Sequence, residues 1–220
     1  YPSSVECTAT NVFKKMWTPE YTPEGCPISS MVTLEYNNSP HNKDGIKLIW
    51  MDGGLTPTIP EEIEDEFIMN FDMGNSSGIM MLGAKGVITS EIYANNPTLY
   101  IKGEAPVIFD TNKQPNVNHV HAATWTEACK AGFNSVEHKN LTSSFDYSGP
   151  FTETVIMGNL ALRSRDLREF VKTRKNGSKM MKYFGRKKLL WDGENMKIKN
   201  LEQANAFVSK QYRKGWGLPI

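Results

Sequence analysis

The sequence predicts an α+β fold: a mostly antiparallel, open-faced β-sheet with helices packed on one face. Two observations carry this reading. Period-two strands crowd the first half of the 220-residue chain, joined by turn-rich connections. Helical periodicity appears only in the second half. Strands first and helices later is the order of an α+β domain rather than of alternating βαβ units.

The first strand is written in Val5, Cys7 and Ala9, which alternate with Glu6, Thr8 and Thr10. Such alternation gives a strand one dry and one wet face. Val32, Leu34 and Tyr36 alternate with Thr33 and Glu35 in the same way. Turn residues follow at Asn37-Asn38-Ser39-Pro40 and Asp44-Gly45, and then Ile46 to Trp50. These two runs read as neighbouring antiparallel strands. Residues 78–90 read as a hairpin turning at Gly83-Ala84-Lys85-Gly86. The glycines are expected to take the positive torsions of a tight turn.

A helix is predicted from His119 to Ala131, with Asn118 as N-cap and Gly132 as C-cap. Its apolar face carries Ala122, Trp125 and Cys129. A second helix is predicted from Phe151 to Leu162, entered through Ser148-Gly149-Pro150. It is apolar nearly all round, which predicts burial. A last helix is predicted from Asn200, with Leu201, Ala204, Asn205, Val208 and Tyr212 on one face and Gln203 placed for a capping contact. Residues 174–186 are expected to be a flexible loop. One domain over 1–220 is expected from length, with no internal repeat.

Composition marks a globular chain: 39% apolar, 22% charged, net charge +1. The charge is unevenly spread. Residues 163–188 hold 11 Lys/Arg against Asp166 and Glu169, a segment of +9 in a remainder of −8. That block reads either as a solvated excursion folded against an acidic neighbour or as an anion or nucleic-acid surface, although no nucleic-acid motif accompanies it. Cys7, Cys26 and Cys129 match neither a zinc knuckle nor a redox pair. No apolar run reaches the ~20 residues of a membrane span. The chain begins at Tyr1 rather than Met, so the reading expects further sequence upstream.

No G-x-G-x-x-G, Walker A, H-E-x-x-H or G-x-S-x-G motif occurs. An independent dinucleotide site, a metal site and a nucleophile elbow are therefore not expected. Five residues are candidates for binding a substrate. Trp50 and Asp52 stand before Gly53-Gly54, where an aromatic face can stack on a sugar and a carboxylate can accept its hydroxyls. The competing reading makes Asp52 a turn residue bonded to its own backbone. His119 and His121 lie at a helix start, two apart, and so point roughly 200° apart on a helix. Glu153 lies in the apolar helix, in what is read as its first turn, where the dipole favours an anion. Asn159 in the same helix would need buried partners.

Seven motifs run in one order: Leu48–Gly54; Leu82-Gly83-Ala84-Lys85-Gly86-Val87; Trp125-Thr126-Glu127-Ala128-Cys129-Lys130; Phe145–Glu153; Met157-Gly158-Asn159-Leu160-Ala161; Leu190-Trp191-Asp192-Gly193-Glu194-Asn195-Met196; and Tyr212-Arg213-Lys214-Gly215-Trp216. In this order they resemble the C-terminal domain of a bacterial branch of the Gfo/Idh/MocA oxidoreductases, the glucose–fructose oxidoreductase and inositol dehydrogenase family. Each motif alone is weak, and the resemblance spans nearly the whole chain. It implies an open sheet beside an N-terminal Rossmann domain that carries NAD or NADP and the main acid/base residues. That domain is absent from this chain, so no catalytic residue and no bound cofactor are expected within it. The resemblance further implies a sugar, cyclitol or glycoside as substrate. Oligomer contacts are expected through the open sheet face, with no nucleic-acid or membrane partner. A periplasmic parent is favoured over a cytoplasmic one. Two alternatives remain: a free-standing carbohydrate-binding or oligomerising module, and a parent that uses transient NAD redox to cleave a glycosidic bond.

Overall fold

The computed structural model describes residues 1–20, 25–39, 42–63, 77–91, 94–109, 117–210 and 212–217. The chain divides into two compact units. One comprises Tyr1–Leu55 with Ser144–Ile220, and the other Thr56–Ser143. The chain is of mixed α+β type, and every strand pair among the described residues is antiparallel.

In the first unit, β1 (Ser4–Ala9), β4 (Ser30–Tyr36) and β5 (Ile46–Met51) form one sheet with β12 (Leu189–Asp192) and β13 (Lys197–Ile198). Their order is β13-β12-β1-β4-β5. The two strands read as neighbours do pair, with Leu34 opposite Leu48 and Val32 opposite Trp50. Short β2 (Phe13–Lys15) and β3 (Thr18–Pro19) pair separately. The turn into β5 places Gly45 at φ +75, where a Cβ would run into the Tyr36 carbonyl oxygen. Pro40 and His41 lie outside the described residues.

Helix α3 (Phe145–Arg165) lies over β1 and β4. Met157 and Ala161 enter a core with Val5, Val32, Leu34, Leu189, Trp191, Ile198, Leu201 and Ala204. Burying such side chains contributes about 1.5–3 kcal/mol for each large one. The predicted start at Phe151 is corrected. The helix begins at Phe145 and carries Pro150 inside it. Proline removes only one donor, and this one falls in the second turn, next to the groups that lack intrahelical partners anyway. The expected all-round burial is also corrected. Val155 and Ile156 are exposed, as is Asn159, which therefore needs no buried partner. One face alone meets the sheet: Met157, Ala161 and Ser164.

The last predicted helix is a short 3-10 helix, Glu202–Phe207, and Tyr212 lies outside it. Leu201 occupies its N-cap without a side-chain bond. Asn205 closes the piece, accepting from Ile198 N at 2.7 Å and donating to Ile198 O at 3.1 Å. Gly215 turns the chain at φ +85.

The expected loop at 174–186 is instead the far half of a β-hairpin. Strands β10 (Arg168–Thr173) and β11 (Lys179–Tyr183) pair across a bulge after Phe170. Asn176 Oδ1 accepts from both the N–H and the hydroxyl of Ser178, which fixes the turn.

The second unit holds β6 (Gly78–Gly83), β7 (Gly86–Glu91), β8 (Thr98–Tyr100) and β9 (Val107–Ile108) in that order. The 78–90 hairpin stands as read, with Gly83 opposite Gly86. The reason given for its glycines is corrected, because neither has positive φ. Gly86 is needed for a different reason: a Cβ there would collide with the Tyr100 carbonyl oxygen on β8. Val87 and Tyr100 form a small core with Ile63.

The same unit contains α1 (Val117–Ala131) and α2 (Val136–Lys139). Gly132 ends α1 at φ +92, its N–H bonded to Ala128 O, as the cap reading expects. The N-terminal end is corrected, because Asn118 lies inside the helix rather than before it. The predicted face is corrected too. Trp125 and Cys129 are exposed, and Ala128 is the buried residue of the helix among those described.

Candidate functional site

Asp52 follows β5 and is held from the neighbouring strand. Its Oδ1 accepts from Ser30 N at 2.7 Å and its Oδ2 from Ser30 Oγ at 2.8 Å. Its own N–H donates to Ser30 O at 3.1 Å. Ser29 Oγ donates to Gly53 O at 2.7 Å, and Gly53 and Gly54 turn at φ +64 and +85. A Cβ at Gly53 would overlap the Ile28 carbonyl oxygen, so only glycine fits there. Asp52 thus anchors a turn by bonding across the sheet rather than to its own backbone. Each oxygen keeps a lone pair for a further donor.

Trp50, two residues earlier, is 62% exposed. It sits opposite Val32, whose methyls face Gly158 of α3. It offers an aromatic surface at the rim of the sheet beside the Asp52 turn. Glu153 lies in the third turn of α3, not the first, so the helix dipole does not account for it. Its Oε1 accepts the Trp191 indole N–H at 2.5 Å. Buried Trp191 needs that acceptor. Trp50, Asp52 and Glu153 share the first unit, while His119 and His121 belong to α1 of the second. His121 is exposed, and the His119 side chain lies outside the described residues.

A polar centre that local sequence pattern does not mark lies on the other face of the first sheet. Lys188 Nζ donates to both Glu35 oxygens at 2.8 Å, and Ser4 Oγ donates to Glu35 Oε2 at 2.9 Å. The Lys188 bond, then the Ser4 bond, hold the Glu35 carboxyl below its ordinary range, and Glu35 raises the Lys188 ammonium in turn. Beside it lies an open depression of about 280 Å³ that Ser3, Glu35, Asp44 and Lys47 help to line. The alternation around Leu34 put Glu35 on the wet face. Nothing local pointed to Lys188, 153 residues away.

A second depression, about 430 Å³, is lined by Asn195, Met196, Lys197, Glu202 and Asn205 among others. In the turn beside it Asp192 accepts from the side chain and backbone N–H of Asn195, and those bonds lower its pKa. None of the five sequence candidates lines either depression. Among the described residues no group of His, Cys, Asp and Glu is placed to hold a metal ion. No described helix is long and apolar enough to cross a membrane.

No protein-family model matches the chain, and no curated protein matches it.

Proposed function

We infer that this chain is the substrate-side domain of an NAD(P)-dependent oxidoreductase acting on a sugar, cyclitol or glycoside, completed by a Rossmann domain. One observation carries the reading: the seven motifs between Leu48 and Trp216 resemble, in their order, the C-terminal domain of the Gfo/Idh/MocA family. The mixed α+β class with antiparallel sheets is compatible with it. So is the packing role of the motif residues Met157, Ala161 and Trp191, which fill the first core and so give those motifs a structural reason.

In this reading NAD or NADP is held by the partner domain, and no residue of this chain carries a catalytic step. The chemistry is hydride transfer from a carbinol carbon to the nicotinamide while a base takes the hydroxyl proton. Trp50 and Asp52 are the substrate-facing pair, one stacking and one accepting hydroxyls. The free sheet face is the assembly surface, and an exported parent is the favoured setting.

The test is calorimetry with NADH on the 220-residue chain, and turnover of sugars and cyclitols by the chain fused to a family Rossmann domain. We expect no stoichiometric NADH binding by the chain alone and measurable oxidation by the fusion. Trp50→Ala should raise KM in the fusion by about tenfold, the scale of one lost stacking contact. Stoichiometric NADH binding by the isolated chain would overturn the reading.

Exposure of Trp50 beside the Asp52 turn favours one second reading, a free-standing carbohydrate-binding module. Sugar binding by the chain alone, lost in Trp50→Ala and joined by no redox activity in any fusion, would select it.

A further inference from the structure

We propose that the β10–β11 hairpin is a docking arm for a sulfated polysaccharide. Between residues 168 and 188 the chain carries nine Lys/Arg and one carboxylate, Glu169. The hairpin orders six of these cations, and Arg186, Lys187 and Lys188 follow at its foot. Its strands run six and five residues, a length of about 17–20 Å. Lys172, Arg174, Lys175 and Lys179 are exposed along it and around its turn. Two ion pairs lie elsewhere on the arm: Lys182 with Glu169 at 3.0 Å, and Lys188 with Glu35 at its foot. Concentrated like charge on a projecting element raises the local potential and draws a polyanion.

The arm has a fixed base. Leu167 and Phe184 pack against the first core. Phe184 N donates to Leu167 O at 3.1 Å. Gly185 is closed against the end of α3, where a Cβ would strike the Ser164 carbonyl oxygen. Arg168 Nη1 donates to the Tyr183 hydroxyl at 3.0 Å, and Arg186 covers the Tyr183 ring at 4.0 Å. The charges are thus presented by an ordered hairpin, which limits the entropy lost on binding.

Three features select the partner. Cations spread over a whole hairpin suit an extended chain of anions better than a single phosphate. Nucleic acid wants aromatic platforms for its bases. Here Phe170 is exposed, but the Tyr183 ring already carries Arg186. A lipid surface wants apolar residues at the tip. Here the tip is Arg174-Lys175-Asn176-Gly177-Ser178, and Phe170, Val171 and Met180 stand back from it. A sulfated glycan asks only for spaced cations, which basic clusters of this kind supply.

The test uses the whole chain and heparin as probe, titrated by calorimetry over a range of NaCl. Affinity should fall steeply with salt, as counterion release requires for any polyanion. Lys172→Ala/Arg174→Ala/Lys175→Ala/Lys179→Ala should weaken binding at least about tenfold, the milder Lys175→Gln/Lys179→Gln should give an intermediate loss, and Lys43→Ala/Lys47→Ala/Lys85→Ala/Lys210→Ala, with the same net charge, should change it less than about twofold. Equal losses in the two quadruple variants would overturn the proposal, as would salt-insensitive binding. Displacement of heparin by oligo-dT at equal charge concentration would overturn it in favour of nucleic acid. Stronger retention on equimolar phosphatidylserine–phosphatidylcholine vesicles than on heparin would overturn it in favour of a membrane.

Discussion

Buried Trp191 donates its indole N–H to Glu153 across 38 residues of chain, joining strand β12 to the middle of α3. The bond fastens the covering helix to the sheet at a point where an unpaired donor would otherwise be sealed from water. Glu153→Ala should cost about 1–3 kcal/mol in urea denaturation, the cost of a stranded buried donor. Glu153→Gln keeps an acceptor and should cost less. Trp191→Phe in the Glu153→Ala background should cost less than in the native chain, and additive effects would show that the bond is not shared.

Two glycines should respond oppositely to alanine. At Gly158 a Cβ would meet Val32 Cγ2 at 3.4 Å, a contact that slight movement of a methyl accommodates. The site is interior to α3, so Gly158→Ala should be neutral or stabilise by up to about 1 kcal/mol. At Gly185 a Cβ would collide with the Ser164 carbonyl oxygen, which is backbone and does not yield. Gly185→Ala should cost more than about 2 kcal/mol and loosen the foot of the basic hairpin. Thermal denaturation of the two variants side by side checks the pair.

The Glu35–Lys188 pair sets a pH dependence with a definite sign. The Glu35 pKa is lowered on folding, so its contribution is present above the unfolded value near 4.5 and disappears as pH falls through the folded value. The Lys188 pKa is raised, so its contribution is present below 10.5 and fades as pH rises through the folded value. The stability gap between the native chain and Glu35→Gln should therefore hold steady near neutrality and close below about pH 4. Added salt should narrow it, because both groups are near solvent. Denaturation curves at several pH values read this directly, and a gap that stays open in strong acid would refute it.

Burial pushes the Cys7 thiol up to about 11, while Cys26 and Cys129 are exposed. The thiolate is the reacting species, so Cys7 is almost wholly unreactive near pH 8. Iodoacetamide labelling followed by mass spectrometry should show two fast sites and one slow one. Urea should bring the third to the rate of the others.

Much of the framework is legible in the sequence. Strands β1, β4 and β5, the 78–90 hairpin and the Gly132 cap all leave signatures within a few residues. The candidate pair Trp50 and Asp52 was legible as a turn beside an aromatic. Its bonding to Ser30 was not, because that partner arrives from another strand. The start of α3 is not legible, because a proline usually opens a helix, while α3 tolerates Pro150 in its second turn. The apolar spacing after Asn200 suggests a full helix where the chain forms only the 3-10 piece Glu202–Phe207. Leu201 and Ala204 do face the core, and Asn205 within the piece bonds Ile198.

By itself the sequence determined the α+β class, the alternation that gives each strand a dry side, the glycine cap at Gly132, and a basic block between 163 and 188. Tertiary structure alone decided that β12 lies beside β1 and that one face of α3 is covered. It also decided that Glu35 finds Lys188, and that the basic block is a hairpin with a fixed foot. The physical reason is range. Periodicity and turn chemistry act over a few residues, whereas strand order, helix burial and ion pairing join groups more than a hundred residues apart, and their energies are set only when the core closes around them.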